Sequence, residues 1–189
     1  MKDILKLGGL LMLFTAIAAT CLASIYSITK PRIEEQKKLV IARALSVALP
    51  EANENTIIPV GSGEDVLYYK GYASPDTTGL VGYAFIARGS GYSSVIETMV
   101  GVDTSGNIQG MKVLSQTETP GLGTKVEAIK YGESEPYFTR QFLGKQAGNV
   151  AVKQDNGNID SITGATISSR ALTNSVARGY TELQKEINN

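Results

Sequence analysis

The chain contains no histidine and no tryptophan, and its one cysteine is Cys21. Without histidine it cannot build a Ser-His-Asp triad, a His-rich metal site or a His-ligated haem. With a single cysteine it can form neither an intrachain disulfide nor an iron–sulfur cluster. It also lacks charge of one sign: 18 basic residues balance 18 acidic ones, so it has no basic stripe of the kind nucleic acid would need, and no nucleic-acid partner is expected. No metal-ligating or catalytic acid–base set is expected either. Redox chemistry, if the chain performs any, requires an organic cofactor.

Against those absences stands one long apolar run. The 23 residues 7–29, LGGLLMLFTAIAATCLASIYSIT, carry no charge. As a helix they reach about 35 Å, enough to cross a bilayer with some tilt. A cleaved signal peptide has a shorter apolar region, and Thr20 before Cys21 is bulky for a lipoprotein cleavage site, so the expectation is an uncleaved anchor in membrane lipid. Lys2 and Lys6 precede the run, whereas Lys30, Arg32, Lys37, Lys38 and Arg43 follow it. Counted naively, these charges leave the rest of the chain in the cytoplasm, but long domains cross largely regardless of charge.

Pro31 opens a helical pattern with Ile33, Val40, Ala44 and Ala48 on one face, ended by Leu49-Pro50. Residues 50–63 read as a loop. Strands are predicted over 66–72, 80–88, 94–102 and 108–115, the last two joined by the turn Asp103-Thr104-Ser105-Gly106-Asn107. An irregular aromatic stretch covers 131–143. A short strand over 150–153 leads to the turn Asp155-Asn156-Gly157-Asn158, and helical spacing returns over 168–187. Helices bracketing antiparallel strands predict an α+β domain. The expected division is a short tail at 1–6, a transmembrane helix at 7–29, a helical stalk at 30–50 and a domain at 51–189.

Two motifs could carry chemistry. Asp160-Ser161-Ile162-Thr163-Gly164-Ala165-Thr166 is a loop of small residues feeding the last helix, whose free N–H groups and dipole favour an anion. Gly164 and Ala165 leave room for a bulky group, and Thr166 offers a hydroxyl. On spacing alone the same residues also read as a helix cap. They do not make a P-loop, lacking its Gly-Lys-Ser/Thr ending. The second motif, Glu118-Thr119-Pro120-Gly121-Leu122-Gly123, contains a Pro-Gly turn, which leaves the rest of the run unexplained.

The first motif resembles the flavinylation signature Asp-x-x-Ser/Thr-Gly-Ala-Thr of the FMN-binding domain family, and every specified position matches. The resemblance implies FMN covalently attached to Thr166 as a phosphoester, installed by a dedicated flavin transferase, with Asp160, Thr163, Gly164 and Ala165 completing the site. The second motif resembles the same family's glycine loop. It implies that Glu118, Thr119, Gly121, Leu122 and Gly123 lie against the flavin, the glycines letting the backbone approach a flat ring. Gly89-Ser90-Gly91-Tyr92 resembles a third family loop, and an ordinary turn at a strand end explains it equally well.

Over nearly its whole length the chain resembles the G subunits of Rnf-type ion-translocating ferredoxin:NAD oxidoreductases. That resemblance implies a membrane-anchored electron carrier partnered by the other membrane subunits of the complex, with its flavin domain on the extracytoplasmic side of the inner membrane, against the naive charge count. Such a carrier has no complete activity alone. Two other readings stay open: the C subunits of sodium-translocating NADH:quinone oxidoreductases, typically longer chains, and a tethered binding module without redox chemistry.

Overall fold

The uncharged run folds into the first part of a single helix, α1 (Lys2–Ala48), in the computed structural model, which describes residues 1–62, 65–133 and 135–188. The chain divides into two units, Met1–Val40 and Ile41–Asn189. In the first, every residue is exposed, large apolar side chains such as Leu11, Phe14 and Leu22 included. Water is a poor environment for such a surface. The hydroxyls along it are satisfied within the helix. Thr20 donates to the Ala16 carbonyl at 2.8 Å, Ser24 to Thr20 at 2.8 Å, and Ser27 to Ala23 at 2.9 Å. Back-bonded in this way, they demand nothing of a hydrocarbon surround. Among the described residues α1 is the one helix long and apolar enough to cross a membrane. Pro31 lies inside this helix rather than opening one, so its ring removes a single ladder bond from a helix that continues past it.

The second unit is built on a five-stranded antiparallel meander: β1 (Ile57–Ser62), β2 (Asp65–Tyr72), β3 (Leu80–Ser90), β4 (Val95–Asp103) and β5 (Ile108–Ser115), in spatial order β1-β2-β3-β4-β5. β1 falls where the sequence suggests a loop. The other four strands match the predicted ones to within two residues. The long helix α2 (Thr166–Asn188) contributes Leu172, Val176 and Leu183 to a core shared with Phe85, Ile96, Val100 and Val102 of the sheet. The last turns of α1 and Leu49 just beyond them form a second cluster, in which Ala44, Leu45, Ala48 and Leu49 join Tyr69, Ala84 and Met99. Met99 and Val100 alternate between the two clusters, as the period of a strand requires when both faces are covered. The helix end comes this close because β4 and β5 carry glycines beneath it. A Cβ on Gly101 would stand 1.9 Å from the Ala48 carbonyl oxygen, and one on Gly110 would stand 1.9 Å from that of Val47.

Between β5 and α2 the chain runs through short 3-10 turns, pinned by Phe138 and Phe142, which are fully buried and meet edge to face at 5.6 Å. The strand expected at 150–153 reduces to one bridge between Val152 and Ile159, followed by the 3-10 turn Lys153–Asp155. This α+β arrangement, helices about an antiparallel sheet, is the class the sequence predicts, and it brings the start of α2 beside the segment that follows β5.

Candidate functional site

The approach to α2 is fixed by a small hydrogen-bonded turn. Gly164 takes a positive φ of 80°, which a glycine adopts without strain, and the Ala165 N–H donates to the Ile162 carbonyl at 2.9 Å. Ser169, one turn into the helix, accepts from the Ile162 N–H at 2.9 Å and donates to the Ala165 carbonyl at 2.9 Å. The turn is therefore held from behind, by Ser169, and not by a cap from Thr166. Among the described residues the N–H groups of Thr166, Ile167 and Ser168 and the Thr166 hydroxyl make no hydrogen bond within the chain. Three unpaired donors at the positive end of a 23-residue helix form a ready anion site.

That helix end opens onto a cavity of about 510 Å³ lined by Tyr92, Glu118, Thr119, Leu122, Gly123, Gly164, Ala165, Thr166, Ile167 and Ser168. Both sequence motifs thus converge on one space, of the size small-molecule sites have. They also lie close together, since a Cβ on Gly164 would stand 3.2 Å from the Leu122 Cδ2. Three residues named from the sequence stand off this wall. Gly121 forms the turn behind it, with φ +74° and its N–H donating to the Thr124 hydroxyl at 3.0 Å. Thr163 is exposed at the bend. Asp160 is exposed, pairs with Lys153 at 2.8 Å, and is tied to Gln141 through its backbone N–H at 2.8 Å and its carbonyl at 3.1 Å. Asp160 therefore fixes where the loop begins. Ile167 and Ser168 also line the cavity, and the sequence motif, which ends at Thr166, does not reach them. The helical continuation past Thr166 is the signal that could have found them.

Glu118 is 3% exposed and carries the densest set of bonds at the site. Its Oε1 accepts from the Ser93 N–H at 2.9 Å, the Ser94 N–H at 2.8 Å and the Ser94 hydroxyl at 3.1 Å. Its Oε2 accepts from the Tyr92 N–H at 3.1 Å and the Ser168 hydroxyl at 2.5 Å. Burial by itself would raise the pKa of this carboxyl. The bonds from Ser168, Ser93, Ser94 and Tyr92 outweigh burial and hold it down at about 2, because each favours the charged form.

Comparison with known proteins supplies the family. Residues 91–181 match the FMN-binding domain and residues 1–47 the RnfG N-terminal region. The G subunit of the ion-translocating oxidoreductase complex of Escherichia coli O157:H7 is 33% identical over 189 residues, covering 94% of this chain and 90% of that protein. The G subunit of the Na(+)-translocating ferredoxin:NAD(+) oxidoreductase complex of Acetobacterium woodii is 30% identical over 193 residues, covering 93% and 89%. Among solved structures, Shewanella oneidensis NqrC is 20% identical over 74% of this chain and 72% of that one, with a TM-score of 0.48. Matched almost end to end by the first two relatives, the chain belongs to the family of G subunits of ion-translocating oxidoreductase complexes, with an FMN-binding domain over residues 91–181.

Proposed function

We propose that the chain is a single-pass electron carrier of an ion-translocating oxidoreductase complex in the inner membrane, with FMN joined covalently through its phosphate to Thr166 and the flavin domain on the extracytoplasmic side. The observation that carries the covalent reading is the convergence at the start of α2, where the free Thr166 hydroxyl and the N–H groups of Thr166, Ile167 and Ser168 face one cavity with the glycine loop. The pieces fit the cofactor. A phosphodiester keeps one negative charge, and a helix N-terminus favours a charge there. Gly164 and Ala165 add almost no bulk beside the attachment point. Leu122, Gly123 and Tyr92, all in the cavity lining, offer apolar and flat surface to a ring system. FMN held there would supply one- and two-electron transfer, while the chain supplies placement and tuning. The relatives' names support assembly with the other subunits of such a complex, and a flavin transferase would install the cofactor during maturation.

The test is intact mass of the full chain, expressed with and without a flavin transferase. The expected result is a gain of one FMN less one water in the C-terminal peptide, abolished by Thr166→Ala. Covalent flavin persisting in that variant would move the attachment to Thr163 or Ser168 and overturn the assignment.

A further inference from the structure

We propose that Glu118 is a positioning residue: its carboxylate pins the 92–94 loop to the first turn of α2 and so fixes where Tyr92 stands over the cavity containing Thr166. This rests on the reading of that cavity as the flavin site. It differs from the expectation that Glu118 meets the cofactor directly.

A carboxylate has about four lone-pair sites, and five donors of the chain already occupy those of Glu118. No acceptor capacity is left for a ligand. The donors come from places far apart in sequence, 26 residues away at Tyr92 and 50 at Ser168. The surrounding backbone is shaped to the carboxylate. A Cβ on Gly91 would stand 2.6 Å from its Oε1, and one on Gly123 would stand 2.6 Å from its Oε2. Ser94 closes the structure, donating its hydroxyl to Glu118 while accepting the Thr117 N–H at 2.9 Å. Tyr92 is tied through its backbone N–H, and its side chain is 71% exposed at the cavity wall. The point from which its side chain leaves the backbone is therefore set by the loop.

The experiment uses the full chain in detergent, once without flavin and once after co-expression with a flavin transferase. In flavin-free protein, hydrogen exchange of the Tyr92, Ser93 and Ser94 amides is compared between wild type, Glu118→Gln, and Ser168→Ala, which deletes one of the five donors. Glu118→Gln should speed exchange at these amides by about tenfold or more, because buried donors lose their charged acceptor. Ser168→Ala should act in the same direction and less strongly, and it covers the case in which Glu118→Gln does not fold. In flavin-loaded protein, flavin fluorescence and midpoint potential should both shift in these variants. Tyr92→Leu should change fluorescence strongly in the wild-type background and weakly in the variant background, the coupling expected of two residues in one chain of contacts. Unchanged exchange at 92–94 overturns the clamp. Faster exchange with an unaltered flavin, or additive effects of Tyr92→Leu, reduces Glu118 to a staple of the fold and overturns its positioning role. A wild-type chain that takes no flavin overturns the cofactor reading and the positioning role with it, while the exchange data still report whether the loops are pinned.

Discussion

At the scale of single residues, the site is held by charge placed in a dry setting. Glu118 titrates at about 2 in place of an ordinary 4.5, so the folded chain favours its ionised form by about 3 kcal/mol. The sign follows from the depressed value. The contribution is complete above pH 4.5 and is lost as pH falls through the folded value. Thermal unfolding of wild type and Glu118→Gln should therefore show a constant stability gap from pH 7 to about 5 that narrows steadily toward pH 2. A gap of full size at pH 3 would show that the carboxylate is not stabilised in the way its five donors require. The sequence made the two motifs legible, because small residues, Pro-Gly and a terminal Thr leave a pattern over a few adjacent positions. It did not make Glu118's role legible. Nothing at position 118 announces that its partners lie at 92–94 and at 168, and short-range spacing cannot pair residues across such gaps.

Among the elements, four strands were visible because their β-branched and aromatic residues are bounded by turn residues. β1 was not. It lies at the sheet edge, paired with β2 alone, where Pro59 is tolerated because a ladder is needed on only one side. Its neighbours in sequence, rich in Asn, Glu and Gly, read as loop. The short strand expected at 150–153 failed for the converse reason: an apolar Val pair found a single bridge, with no sheet to join. The close approach of α1 to β4 and β5 gives a direct test. Valine suits a strand, so in Gly101→Val space alone decides the outcome. A side chain whose Cβ begins 1.9 Å from the Ala48 carbonyl must push the helix end away, at a cost of about 1–3 kcal/mol or more. Lower thermal stability and new proteolytic cuts near Ala48 are expected. A variant as stable and as resistant as wild type would show that the helix end is not seated on those glycines.

For the whole molecule, the two units have different solvents. Residues 7–29 form an uncharged, largely apolar and fully exposed length of helix, while the unit from Ile41 onward has its own core. A chain beginning at Ile41 should therefore be soluble without detergent and take flavin. A chain beginning at Pro50 loses Ala44, Leu45, Ala48 and Leu49 from the second cluster. The two leucines alone remove about 3–6 kcal/mol of burial, a large part of the stability of an ordinary domain, so this chain should aggregate or melt well below the longer one. Equal behaviour of the two truncations would place the end of α1 outside the folding unit. The meander has a consequence in time. Each strand pairs with the next along the chain, so the sheet closes through short loops that form early and cheaply. The bond from Ser168 to Glu118 spans 50 residues and waits for the chain through α2 to arrive. The sheet is therefore expected to close before the pocket does, and a cofactor joined at Thr166, as proposed above, would be loaded only onto chains already folded through α2, so that loading would report on correct assembly.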